Sequence, residues 1–591
     1  MRTILLVSCC LLFATSLFSQ SDFETKKKYY FFKTWNYLKY YHPGIATGKV
    51  QADSFFLCYW PLLSKAKDNK SFNKVLHQMT GALPKLPSVD AASSLSLSPE
   101  KIMKQNLDTA WCTSDPFLTP AIKKQFRQVF IHRYTDTGHY YLPEKNYTTD
   151  VPHEPAYPFA DTLNIPYEYR MLALAKIQGA VDYLFPHKYI MDSNWNTVLL
   201  HFITLFTNCD SRLQYEKLLL NITATFNDTH AWYFNEDMKN RRRIFRNTFY
   251  PPFEYQLFDN KILVTGIIIE ELCSRAGIQK GDLITSLDGI SIAEKIRELS
   301  RLLSASNTNV LWYRLGKYSD NFLFAADKPS ISIQVDRAGR TSSSELTLFQ
   351  ARDTALVRRL GKYFNAKPSL KRQDDQFTYL DSGVVYFNIN NTFRFIEHVP
   401  DERVDAVMDS LLALMAQSKA LIFDMRDYPD WPGFAFTYLY KKFGKKTNIY
   451  GWYYEVNKQY AGTYTPLKHT NDYFPPGVTP ENFPYKGKVF IIVNPVTRSM
   501  SEWHTMNLQK LFPNSITIGQ QTAGADGDYK KMNLPGNYAI PFTGNAIFYP
   551  DGGQAQRVGV RIDKPIYPTM KEILTGEDLL LNKALQLINE R

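Results

Sequence analysis

Apolar positions in the first part of the chain recur at helical spacing. Phe31, Phe32, Trp35, Leu38 and Tyr41 fall three or four residues apart and stop at His42-Pro43-Gly44. The stretch from Asp22 to about Pro84 therefore reads as helices interrupted at a proline. A second helical block runs from Tyr167 to about Asn227 and contains Trp195. Between them, residues 85–165 are rich in Pro, Ser, Asp and Tyr and read as irregular or strand-containing connection. Near Phe253 the period changes. FEYQLF and KILVTGI flank Asp259-Asn260, as two strands flank a hairpin turn. From Asp381 strands and helices alternate. Gly383–Ile389, Ala420–Asp427, Lys488–Pro495 and Ser515–Gln520 read as strands, and Met500–Leu511 as a helix. Asp401–Lys419 is an amphipathic helix with Val404, Val407, Met408, Leu411, Leu412 and Met415 on one face. Such alternation implies crossover units on a largely parallel sheet.

The N-terminus changes the picture of location. Arg2 precedes an apolar run from Ile4 to Phe18 that ends in Ser-Gln-Ser. This is the pattern of a signal peptide over residues 1–20, too short to span a membrane comfortably. The expectation is an exported protein, periplasmic or extracellular, with no transmembrane segment after the signal is removed. Cys58, Cys112, Cys209 and Cys273 follow it; export permits disulfides, but the spacing assigns no pairing. No His, Cys or carboxylate cluster has metal-ligand spacing, so neither metal nor cofactor is expected. Lys and Arg total 69 against 57 Asp and Glu, a formal charge of +12. The basic residues are scattered, which points to a solvated surface and away from nucleic acid.

Two motifs carry resemblances. Ala276, Gly277, Ile278, Gly281, Asp282, Leu283, Ile284, Asp288 and Gly289 fall in SRAGIQKGDLITSLDGISI, which resembles a PDZ domain. Such domains take an extended peptide as an added strand. The segment Asn494–Gly527 resembles the tail-specific (C-terminal processing) protease family of serine peptidases. There a strand ends, a Ser-x-x-Glu opens a helix, and a further strand leads to a Thr-x-Gly loop. The resemblance implies Ser499 as nucleophile with Glu502 as its acidic partner; together with the PDZ match it covers about residues 275 to 591 and, more loosely, the helical region before them. Alone, Ser-x-x-Glu is also a helix capping box. At a strand-to-helix corner, however, a serine lies near free backbone donors that can stabilise an oxyanion.

A serine hydroxyl needs an adjacent base. Ala525 stands where the processing proteases place lysine, so the usual Ser–Lys dyad is absent unless Lys530 or Lys531 reaches in. The tricorn-core-like branch uses a histidine from an N-D-[ST]-H motif. Asn227, Asp228, Thr229 and His230 match it, which implies His230 as general base with Thr229 in support. Gln556 stands where that branch has a glutamate as third member. The backbone N–H groups of Met500 and Asp430 would form the oxyanion hole, although Asp430-Trp431 replaces the family's Gly-Gly. Ser501 and His504 are rivals on the same helix.

The expected architecture is multidomain α/β. A mainly helical region, 21–245, ends in the NDTH motif. A PDZ-like β domain occupies 250–350 and a crotonase-like α/β catalytic core 375–591. The expected activity is that of an exported serine endopeptidase acting on protein or peptide substrates, with the PDZ-like groove as a second contact. The alternatives are a catalytically impaired peptide-binding scaffold, favoured by Ala525, Asp430, Trp431 and Gln556, and a binder of small apolar ligands. Cleavage preference and oligomeric state are not encoded in any motif.

Overall fold

The computed structural model describes residues 2–88, 102–143, 149–231, 239–246, 248–350, 352–367, 377–380, 383–388, 392–430, 438–469 and 479–590, with 2–21, 377–380, 394–395 and 468–469 as backbone only. The C-terminal part is built on a six-stranded sheet. Val384–Asn388, Ala420–Asp424, Lys488–Val493, Ile516–Gly519 and Lys564–Pro565 pair in parallel in that order, and Phe377–Leu380 adds antiparallel at one edge. Strand side chains alternate between faces. Val385, Phe387, Leu421, Phe423, Val489 and Ile491 pack with Met408, Leu411, Leu412 and Met415 of the helix Asp401–Gln417 and with Met506 and Leu508 of the helix Met500–Leu511. Val384, Tyr386, Ala420, Ile422, Phe490 and Ile492 pack with Leu581, Ala584 and Ile588 of the helix Leu579–Asn589. Both faces are thus covered, as a parallel sheet requires. Each large apolar side chain so buried contributes about 1.5–3 kcal/mol.

The N-terminal part is helical. Arg2–Tyr41, Ala52–Lys65, Tyr167–Gly179, Trp195–Thr207 and Arg212–Ala224 surround an aromatic centre in which Phe31, Trp35 and Trp60 meet Phe56. Buried cations there are paired: Lys176 lies 2.8 Å from Asp53 and 3.2 Å from Glu154, and Lys39 also pairs with Glu154. The connection 85–165 departs from expectation. It contains a helix, Pro120–Ile131, whose Ile122, Phe126 and Val129 face the core. Thr119-Pro120 starts it, since proline suits a first helical turn; the loop-like composition around it hid the periodicity. Among its described residues, β structure is limited to isolated bridges, Met103 to Tyr464 and Asp150 to Lys531.

Between these parts lies a β unit. Phe253–Phe258, Lys261–Ile267, Leu283–Leu287, Ser330–Arg337 and Arg340–Thr347 form an antiparallel sheet in that order, with Phe253–Phe258 at an edge. Asp259 and Asn260 take φ of 48° and 56°, the left-handed pair that closes a tight hairpin. The core of this unit is continuous with the helical region: Phe253, Tyr255 and Ile333 belong to one apolar cluster with Phe31, Trp35 and Leu172. The four cysteines are free thiols, three of them buried. Among the described residues, no helix is long and apolar enough to cross a membrane.

Candidate active site

The parallel strands deliver their C-terminal ends to one place. Arg426 forks between Asp424 and Asp578 at 2.7–2.9 Å, and Tyr386 donates to Asp424 at 2.6 Å. This network anchors the exit of the strand Ala420–Asp424. The neighbouring strand, Lys488–Val493, leads through a turn in which Thr497 Oγ1 accepts from Asn494 N–H and donates to Met425 O. The chain then turns at Ser499 into the helix Met500–Leu511.

Ser499 sits at φ 50°, ψ −121°. A non-glycine residue held there costs about 1–3 kcal/mol and persists only where its surroundings over-determine it. Glu502 does so. Its buried carboxylate accepts from Ser499 N–H at 3.2 Å, Gly524 N–H at 2.8 Å, Ala525 N–H at 2.9 Å and the Thr522 hydroxyl. Burial pushes its proton affinity up, and these donors oppose that shift. Glu502 is therefore the staple joining the serine corner to the Thr522–Ala525 loop. Gly524 keeps the loop close: at φ 62°, a Cβ there would lie 2.7 Å from the backbone of Arg557. Asp526, buried beside Glu502, is pushed well above the usual carboxylate range by burial and by that neighbouring charge.

The Ser499 hydroxyl donates to Gly527 O at 3.4 Å. Because Ser499 N–H is taken by Glu502, the first helical donor near the hydroxyl is Met500 N–H, in the turn whose amides lack intrahelical acceptors. Asp430 turns its carboxylate to Thr392 N–H (2.8 Å) and Phe393 N–H (3.0 Å), capping the helix Thr392–Ile396. Trp431 lies outside the described residues. The Ser501 hydroxyl donates to Asp427 O, which occupies it in a structural bond. His504 is buried in the same helix, and burial pushes its ring down to about 3.

His230 is also buried, and its ring lies 6.2 Å from that of Tyr529. Ser499 and His230 thus reach the two ends of the segment Gly527–Tyr529. The two side chains share no hydrogen bond among the described contacts. Burial lowers the imidazole's proton affinity; Asp228 and Asp528 raise it and Arg498, next to Ser499, lowers it. His230 Nδ1 is 2.8 Å from Thr543 Oγ1, and Asp228 accepts from the same hydroxyl at 2.8 Å. Thr229 is engaged elsewhere: it bonds Ser306 and donates to Ala523 O at 3.3 Å, tying the motif to the loop and not to the imidazole. Gln556 likewise meets Asp228, at 3.3 Å. Of the lysines, Lys531 is partly exposed beside Asp150, while burial lowers the proton affinity of Lys530, which faces Asp528 and Glu455. In the sequence Asp228 is only a letter of the NDTH motif, and no motif singles out Thr543. Among the described residues, no three His, Cys, Asp or Glu side chains converge as a metal site.

This serine corner is also where the chain's sequence matches a known family. Residues 386–566 match peptidase family S41. The chain carries a peptidase S41 domain. It is a hydrolase of serine-peptidase type, in agreement with the resemblance read from Asn494–Gly527. Similar solved structures include mature CPAF, at 12% identity and TM-score 0.50, covering 72% of this chain and 98% of that one. Mature CPAF complexed with lactacystin gives 12% identity and TM-score 0.48, over 72% and 99% of the two chains. The tricorn protease gives 14% and 0.30, over 71% of this chain and 37% of that one. At such identity the likeness to mature CPAF concerns the fold. No curated protein matches the chain.

Proposed function

We propose that this S41 chain is an exported endopeptidase that forms an acyl-enzyme on Ser499 with His230 as general base. The observation that carries the reading is the strained Ser499 corner, locked by Glu502 and facing the same short segment as a buried histidine. Strain at one residue, maintained by four donors on one carboxylate, is hard to account for as packing alone. Met500 N–H would supply one oxyanion donor and Asp430 N–H the second. The hydroxyl bond to Gly527 O would give way to His230 as substrate binds, since catalytic hydrogen bonds often tighten only in the complex.

The β unit supports a peptide-reading role. Its AGIQKGD segment resembles a PDZ domain, and its edge strand Phe253–Phe258 borders a groove of 1040 Å³. Trp312 and Tyr313 line this groove, as do Asn494 and Pro495, which lead into the serine corner. A peptide added to that edge would run toward Ser499. Export rests on the residue 1–20 pattern. Hydrolysis of unstructured protein substrates should be abolished in Ser499→Ala and reduced by a similar factor in His230→Ala, with the double variant little worse than either. Full activity in His230→Ala together with loss in Lys530→Ala would replace the histidine by a lysine base. Absence of turnover in the unmodified protein would favour the peptide-binding scaffold.

A further inference from the structure

The base of a serine peptidase needs a defined tautomer, and Gln556 cannot provide the charge that a carboxylate would. The carboxylate nearest His230 by hydrogen bonding is Asp228, two residues before it. Its Oδ2 accepts from Thr543 N–H at 2.6 Å; its Oδ1 accepts from Thr543 Oγ1 at 2.8 Å, His230 N–H at 3.1 Å and Gln556 Nε2 at 3.3 Å. Asp228 does not reach the imidazole directly, since its Oδ1 is 4.0 Å from Nδ1. The Thr543 hydroxyl fills that gap, 2.8 Å from Nδ1.

The proton positions follow from donor and acceptor chemistry. An ionised carboxylate only accepts, so the single hydroxyl proton of Thr543 points to Asp228. The Thr543 oxygen must then accept from the ring, which places a proton on Nδ1. In a neutral imidazole the other nitrogen, Nε2, is left with its lone pair. That is the form able to take a proton from a serine hydroxyl.

We propose that Asp228 and Thr543 form a relay that orients His230 and fixes its tautomer, in place of the carboxylate missing at Gln556. The inference rests on the peptidase reading of Ser499 and His230. As the Ser499 oxygen bonds the substrate carbonyl carbon, its proton passes to Nε2. The imidazolium is then held through Nδ1–H, the Thr543 hydroxyl and ionised Asp228, and Nε2–H passes to the leaving amine. Asp228 and Thr543 are positioning residues; neither touches the reacting atoms. Gln556 donates to Asp228 and steadies it. The other charged or titratable groups facing His230 are Asp528, Arg498, His187 and Tyr529.

Four variants test the relay. Thr543→Val should lower kcat on the order of 10²- to 10³-fold with KM little changed, and Thr543→Ser should recover most of the loss. Asp228→Asn should lower kcat similarly and move the acidic limb of the rate profile to lower pH, because the charge that favours the imidazolium is gone. Gln556→Glu should be slower than wild type, since it replaces a donor to Asp228 by a second carboxylate; activation would show that position 556 is the true third member and overturn the relay. A readout without turnover is available in protein labelled with ¹⁵N-histidine, where His230 should show protonated Nδ1 and unprotonated Nε2, a state lost in Thr543→Val. Wild-type rate and an unchanged His230 spectrum in Thr543→Val would overturn the relay, whether or not Asp228→Asn folds. Activity surviving in Ser499→Ala or His230→Ala would instead overturn the peptidase reading, and the His230 spectrum would still decide the relay.

Discussion

At the residue scale the governing fact is that His230 is buried. An imidazole's ordinary value is about 6.5, and burial lowers it here against the opposing pull of Asp228 and Asp528. The neutral imidazole therefore persists to lower pH than in an exposed histidine. The acidic limb of kcat/KM should have its midpoint below about 6.5, whereas a limb centred well above 7 would point to a lysine. Stopped assays across pH 4–9 on wild type and Lys530→Ala would separate the two. Ser499, Glu502 and His230 are legible as candidates because each sits in a short motif; their roles in turnover are the proposal made above. Thr543 is not: a threonine in a strand has no distinctive neighbourhood, and it lies 313 positions from the ring it meets. Thr229 and Gln556 show the complementary difficulty. Their motifs bring them near the site, but only the fold determines that each bonds something other than the imidazole.

At the element scale the site depends on one corner between a strand and a helix. Glu502 belongs both to the first turn of Met500–Leu511 and to the Thr522–Ala525 loop, so one side chain joins two elements. Glu502→Ala leaves three backbone N–H groups and the Thr522 hydroxyl without their acceptor. It should destabilise the core by about 3–5 kcal/mol, in the range found when one partner is removed from a buried charged network. Urea unfolding should show it, and activity should be lost at temperatures where the variant is still folded. A loss below 1 kcal/mol with full activity would mean the corner is held by other contacts. The strand and helix order of this region was readable because apolar runs alternate with an amphipathic helix. The helix Pro120–Ile131 was not, because only three of its side chains, Ile122, Phe126 and Val129, are fully buried and its flanks have loop composition.

At the scale of the molecule, the β unit is part of the framework. Phe253 and Tyr255 share a core with the N-terminal helices, and Ser306 holds Thr229. Removing residues 251–350 would therefore disrupt the segment that carries His230 as well as the groove. A point change is the cleaner probe. Trp312→Ala should raise KM for long or tailed substrates about ten-fold, the scale of an interfacial aromatic, and leave short peptides unchanged; equal effects on both would make the groove structural. The central claim, the proposal that this chain uses Ser499 with His230, is met most directly by labelling the intact protein with a fluorophosphonate and mapping the adduct by mass spectrometry. A single adduct on Ser499, absent in Ser499→Ala and strongly slowed in His230→Ala, is the predicted result; an adduct on another residue, or no adduct on a folded protein, would contradict it.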